Sequence, residues 1–181
     1  MEGTRPGAAA RRPPAPGGAG RARRRPGDAA GAGHSPRPVN TREYPDRPWV
    51  GIGCVIFDAA DRVLLVRRAR PPRLGLWSLP GGAQHLGEGA EDAARRELRE
   101  ETGIEAGPLT LAAVIDAVTQ DEAGAIRFHY TIIDYAGRLL SGEARAADDV
   151  SEVAWAAPDA LAAYDLTPET LSVIARARSL V

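Results

Sequence analysis

The sequence predicts an α+β domain on a mixed sheet, carried behind a long polar arm. Three observations predict it. Period-two apolar alternation recurs on both sides of one strongly helical stretch, giving the order strands, helix, strands, helices. That helical stretch, Gly82 to Ile104, lies between a glycine-rich approach (Gly81, Gly82, Gly87, Gly89) and a glycine stop at Gly103. Finally, residues 1–46 hold 8 Pro and 8 Gly among Ala and Arg and almost no large apolar side chains. Such a segment buries too little surface to offset its ordering entropy, so it is expected to be a disordered tail. The folded domain is expected over 47–181.

Charge divides the chain in the same place. The first 47 residues carry a net +6 and the remainder −7, summing to the overall −1. Every basic residue is Arg. Arg11, Arg12, Arg21 and the run Arg23–Arg25 could bind a polyanion, but basic runs are weak motifs and a solvated arm is the preferred reading. Nucleic acid is therefore not expected as a partner. The single Cys54 excludes an internal disulfide and a multi-cysteine metal site, which suits a cytoplasmic protein. No apolar run approaches the roughly 18 residues of a membrane helix, and the N-terminus lacks the apolar core of a secretory signal.

Along the domain, Val50, Ile52, Cys54 and Ile56 alternate with Gly51, Gly53, Val55 and Phe57, a strand buried on at least one face. Asp58 to Asp61 supplies turn chemistry and Val63 to Val66 a second strand, so a hairpin is expected. Arg67, Arg68, Arg70 and Arg73 follow on a proline-stiffened loop suited either to clamping phosphate or to solvation. Leu74 to Pro80, with Trp77, is expected to form a short strand. Beyond the helix, Leu109 to Val118, Arg127 to Tyr135 (alternating Phe128, Tyr130, Ile132, Asp134) and Val150 to Ala156 read as strands. Pro158 to Tyr164 reads as a short helix. Thr167 as N-cap, Pro168 at the first position and Glu169 open a last helix with a stripe of Leu171, Ile174 and Ala175.

The Gly82–Ile104 helix is anomalous. At about 100° per residue, Glu97, Glu101 and marginally Glu100 share the side of Ala90, Ala93, Ala94 and Ile104, while Asp92, Arg95 and Arg99 oppose them. The glutamates thus sit on the face that should be buried, and Glu97 meets like charge at i+3 and i+4. Each such pair costs a few tenths of a kcal/mol even in water. A hard divalent cation would offset that repulsion. A solvated acidic patch, or pairing with arginines such as Arg96, is the alternative from the helix alone.

Gly82, Glu88, Arg96, Glu97, Leu98, Glu100, Glu101, Gly103 and Ile104 together fill every specified place of the Nudix signature. Over residues 48 to 178 the chain resembles the Nudix hydrolase family. The resemblance implies an α/β/α sandwich around a mixed sheet, and metal-dependent hydrolysis of a pyrophosphate bond in a nucleoside diphosphate linked to a second group. It implies Mg2+, with Mn2+ the other ion, held by Glu97, Glu101, Glu100, the Gly82 carbonyl and Asp149, with Glu152 next in order. Glu100, Glu97 and Arg96 would be catalytic, and Glu88 and Gly103 would support the site. Arg67, Arg68, Arg70, Trp77 and Tyr130 are the expected substrate-binding residues.

The stretch Arg67 to Pro80 is similar to sequences of ADP-ribose pyrophosphatases, so ADP-ribose or a similar compound is the first expected substrate. A triphosphate-sanitising pyrophosphohydrolase is the alternative, and a ligand-sensing domain without turnover the non-enzyme one. The intact glutamates argue against the last. Family members are often homodimers, and the expected small-molecule partner is a nucleotide.

Overall fold

The protein is described by a computed structural model covering residues 42–71 and 73–181. The expected tail lies outside the described residues up to position 41. The residues just before 47 are described and dock on the domain. The Tyr44 N–H donates to the Arg127 carbonyl at 2.8 Å and its hydroxyl to Asp121 at 3.0 Å, while Arg127 pairs with Glu43 at 2.7 Å.

The expected mixed sheet is present with seven strands. In chain order these are β1 (Trp49–Phe57), β2 (Val63–Arg68), β3 (Trp77–Ser78), β4 (Glu105–Ala106), β5 (Thr110–Gln120), β6 (Ile126–Ser141) and β7 (Val150–Ala156). Helix α1 (Ala90–Thr102) precedes β4, and a 3-10 helix (Pro158–Tyr164) and α2 (Pro168–Arg178) follow β7. The path β3-β2-β1-β6-β4 is extended by β5 on β6 and β7 on β2. Among the described residues only β1 and β6 run parallel, with Gly51 opposite Ile132 and Gly53 opposite Asp134. β1 and β2 form the expected hairpin, closed by Asp58, whose carboxylate accepts from Ala60 and Arg62 N–H groups at 2.9 Å.

Strand alternation sends two apolar sets to opposite faces. Ile52, Cys54 and Ile56 join Leu64 against Ala93, Ala94 and Leu98 of α1. Val55 and Phe57 join Val63 and Leu65 against Val173, Ile174 and Ala177 of α2. Each fully buried side chain of this kind contributes roughly 1.5–3 kcal/mol relative to exposure. The result is an α+β fold with helices on both faces of the sheet, as expected. The observed β6 runs six residues past Tyr135, and it is there that β4, which the sequence pattern did not suggest, pairs with it. Two residues are too few to display a period.

Between β3 and α1 the chain crosses beside β1. Cys54 N–H donates to the Pro80 carbonyl at 2.9 Å and Ile52 N–H to the Gly82 carbonyl at 2.8 Å. This crossing places both glycines of the Gly81-Gly82 pair next to the centre of the sheet.

Candidate active site

Helix α1 starts at Gly89, which has extended backbone and no side-chain cap, and Glu91 and Asp92 place negative charge in its first turn. It stops at Gly103, whose φ of 71° suits glycine and whose N–H donates to the Arg99 carbonyl. Between these ends Ala93, Ala94 and Leu98 anchor the buried face, and the same face carries the carboxylates.

The three glutamates occupy graded environments. Glu101 is 1 % exposed, the Glu97 side chain 13 % and the Glu100 side chain 50 %. Glu101 accepts the Gly81 N–H at 2.7 Å. Burial pushes its carboxyl up to about 8; the Gly81 bond opposes the rise, Asp149 and Glu97 add to it, and Arg68 opposes it. Glu97 lies directly over Gly82, where any Cβ would sit 2.5 Å from the carboxylate. A side chain at Gly82 would push the Glu97 carboxylate out of this position.

Arg96 ties the rest together. Its guanidinium donates to Glu88 at 2.7 and 3.0 Å, to Glu97 at 2.8 Å, to Glu100 at 3.0 Å and to the Ala83 carbonyl at 3.2 Å. Glu88 also accepts the His85 N–H at 3.0 Å, and the Arg96 contact above all holds its carboxyl down at about 2. The arginine pairing considered from sequence is therefore present alongside the buried carboxylates. A planar fork with several fixed donors is what lets one residue orient three acids.

The fit of this group to a divalent cation can be judged from its oxygens. Among the described residues no three carboxylate, imidazole or thiol side chains are gathered closely enough to hold an ion as they stand. Arg96 holds one oxygen each of Glu97 and Glu100. Yet each glutamate commits one oxygen to the described hydrogen bonds: Oε1 of Glu97, Oε2 of Glu100 and Oε2 of Glu101. The second oxygen of each carries no described bond. An all-oxygen donor set around a buried acid suits a hard cation, so the residues fit, with Glu97 and Glu100 having to turn partly from Arg96. The Gly82 carbonyl already accepts from Ile52, leaving one lone pair.

Asp149 lies near enough to act on Glu101, and it accepts from Arg68 at 3.1 Å with both side chains 23 % exposed. Arg67 pairs with Glu152 at 3.3 Å, and Arg70, the most exposed of the three arginines, lies 3.9 Å from Asp148. The basic loop thus meets the acidic 148–152 segment. Trp77 packs edge-on to Tyr164 at 5.1 Å on the α2 side of the sheet, and Tyr130 lies beside Gly51. Sequence reasoning did not single out Gly81 as the donor to Glu101, or Arg68 as the partner of Asp149. The doubled glycine was the available signal for the first; the second depends on β2 pairing with β7, which no local pattern announces.

Comparison with known proteins agrees with this geometry. A family model described as NUDIX domain matches residues 47–177. An ADP-ribose pyrophosphatase of Methanocaldococcus jannaschii is 34 % identical over 97 residues, 54 % of this chain and 55 % of that protein. The 8-oxo-dGDP phosphatase NUDT18 of Danio rerio is 33 % identical over 120 residues, 64 % of this chain and 35 % of that protein. The chain thus spans about half or less of the length of these curated relatives. The crystal structure of a MutT NUDIX hydrolase from Burkholderia pseudomallei superimposes with a TM-score of 0.63 at 34 % identity, covering 72 % of this chain and 98 % of that one.

Proposed function

This chain belongs to the NUDIX family, and on that premise we propose that it hydrolyses the pyrophosphate bond of a nucleoside diphosphate linked to a second group, with ADP-ribose the first candidate. The observation that carries the reading is Glu101. A carboxyl that is 1 % exposed, raised to about 8 and neighboured by Glu97 and Asp149 calls for positive charge, which a divalent ion would supply. ADP-ribose is favoured by the similarity to the Methanocaldococcus jannaschii ADP-ribose pyrophosphatase. An oxidised purine nucleotide is the second reading, favoured by the relative named for 8-oxo-dGDP.

Glu97, Glu100, Glu101 and Asp149 would hold the ion, Mg2+ or Mn2+, with the Gly82 carbonyl. When bound, it supplies charge neutralisation against the pyrophosphate oxygens. Arg96 keeps Glu88, Glu97 and Glu100 in register, and the Gly81 N–H fixes one oxygen of Glu101. Glu100, half exposed with one oxygen outside the described hydrogen bonds, would accept the proton of the attacking water. Arg67 and Arg68 at the end of β2, and Arg70 in the loop after it, would exchange their acidic partners for phosphate. Positioning and charge stabilisation suffice for this chemistry without a cysteine or serine nucleophile. One P–O bond of the bridge breaks, water supplies the new oxygen, and each product keeps one phosphate.

The test is turnover by the purified chain, with Mg2+ or Mn2+, of a panel holding ADP-ribose, nucleoside diphosphate sugars, dinucleoside polyphosphates and normal and oxidised nucleoside di- and triphosphates. Cleavage of ADP-ribose to AMP and ribose 5-phosphate is expected. Cleavage of oxidised purine nucleotides in preference would move the second reading to first, and silence across the panel would remove the enzyme reading in favour of a ligand sensor.

A further inference from the structure

The sheet ends on one side at β5, and this edge is weakly guarded. Among the described residues β5 pairs with β6 alone, which leaves its other side without a strand neighbour. Unpaired N–H and C=O groups on such an edge invite a further strand, and soluble proteins blunt them with basic side chains, Pro, bulges or short length. β5 runs for 11 residues, and its register with β6 shifts only at Leu111/Ala113 and Thr119/Gln120. The regular stretch between, Ala113 to Thr119, holds no Pro and no Arg. Its one acid, Asp116, accepts the Thr131 hydroxyl of β6 at 2.8 Å and so is tied to its own neighbour strand. Leu111, Val114 and Val118 are 52, 60 and 50 % exposed. Three large apolar side chains on one open edge make a surface that calls for a cover.

Between β5 and α2 lies a groove of about 400 Å3. Val114, Ile115 and Val173 give it apolar surface, and Glu169, Ser172 and Arg176 line it from α2. The last three lie on one stripe of the helix, with Glu169 and Arg176 seven residues, about 10 Å, apart along the axis. Both are exposed, and neither takes part in a described ion pair. The stripe therefore has a negative end, a small hydroxyl in the middle and a positive end. Such a pattern is its own complement. A twofold axis beside Ser172 turns the helix end for end and sets Glu169 of each copy against Arg176 of the other. The same operation suits the strand. With the axis beside Ile115, two antiparallel β5 strands place Asp116 opposite Val114 and Ala117 opposite Ala113, so no like charges meet.

We propose that β5 and α2 form a twofold interface with a second copy of this chain, β5 pairing antiparallel with β5 and Glu169 with Arg176. The cover for the open edge is then the same edge of another molecule, and the groove closes against its own image. The carboxylates of α1 lie on the opposite face of the sheet from α2, so the interface stands apart from the hydrolase reading.

The experiment measures the mass of the full chain in solution, by light scattering and sedimentation, from micromolar to submillimolar concentration with no substrate or metal added. A concentration-dependent rise from 19.1 kDa towards twice that mass is expected. Glu169→Arg and Arg176→Glu each set like charges together at both ends of the interface, and each should raise the dissociation constant by about tenfold or more. The double variant restores opposite charges and should return it to within about threefold of the wild type. An equimolar mixture of the two single variants should associate at concentrations where neither does alone. Val114→Lys puts a charge on the exposed edge and should leave the chain monomeric with unchanged melting. Hydrogen exchange gives a second readout, since β5 amides should slow with rising concentration in the wild type and not in Val114→Lys. A chain that stays monomeric throughout, or whose β5 edge is slowed only by an added extended peptide, overturns the proposal. A dimer whose constant is unmoved by either single charge variant also overturns it, because its interface then lies elsewhere. Association that follows the charge pattern supports the interface whether or not any substrate is turned over.

Discussion

Helices α1 and α2 cover opposite faces of one sheet and have similar lengths, 13 and 11 residues. They use their buried sides very differently. α2 buries Val173, Ile174 and Ala177 and caps its start with Thr167, whose hydroxyl accepts the Thr170 N–H at 3.2 Å. α1 buries Ala93, Ala94 and Leu98, but also Glu101, and holds Glu97 nearly as deep. Apolar burial of α2 serves the fold alone. On α1 the same packing positions charge where water cannot relax it, which raises its electrostatic leverage and lowers local stability. The difference separates a helix that holds the sheet from one that uses the sheet as a platform.

Glu101→Gln should break this distinction most visibly. Turnover is expected to fall by about 10³-fold or more, as for loss of a group acting directly on transition-state charge. Thermal melting should show an intact fold, and a near-normal rate would take Glu101 out of the site. Stability should move the other way. The folded pKa of Glu101, about 8, lies above the reference 4.5. For an acid so shifted, ionisation disfavours the folded state, so stability declines as pH rises from near 4.5 to near 8 and is level above. Without divalent ion, the Gln variant should therefore melt above the wild type at pH 8, with the gap closing toward pH 5. A constant gap across that range would mean the acid is solvated better than its burial indicates.

Arg96→Ala comes next. It frees Glu88, Glu97 and Glu100 from a common donor, and about 10²-fold loss of kcat/KM is expected, with Arg96→Lys recovering little because an ammonium cannot fork to three acids. On α2 the expected effects are in stability, not chemistry. Ile174→Ala should cost roughly 2–5 kcal/mol in denaturant unfolding while the folded fraction keeps its kcat. Thr167→Ala should cost about 1 kcal/mol with turnover unchanged. A kcat defect in either α2 variant would contradict the division of labour. Asp134→Asn, outside both helices, should stabilise the fold by up to about 3 kcal/mol above pH 6, where the buried carboxyl, raised from 3.8 to about 6, is ionised.

Local pattern carried much of this. The glycine stop, the Thr167-Pro168 start and the face shared by Glu97 and Glu101 follow from helix geometry and capping chemistry, which act within one or two turns. The β1–β2 hairpin was legible because its turn residues and both alternating strands are contiguous. The position of Arg96 among the acids was only partly legible. Its i+1 and i+4 partners lie on the helix, but Glu88 reaches it from the preceding loop. Asp134 was visible merely as a polar residue in an alternating strand. That it is buried depends on a parallel neighbour about eighty residues earlier in the chain, Gly53, whose missing side chain leaves room for its carboxyl.

The sequence by itself determined the family signature, the helix that carries it and the order of elements around that helix, because those depend on spacing along the chain. It determined which carboxylates share one helix face, but not how their hydrogen bonds are shared. The tertiary structure decided that Glu101 is the buried member and Glu100 the exposed one, and that Arg68 answers Asp149. It also decided that Asp134 of β6 lies over Gly53 of β1. These are relations between strands and loops distant in sequence, and burial, which sets the charge state of each acid, exists only once they have packed.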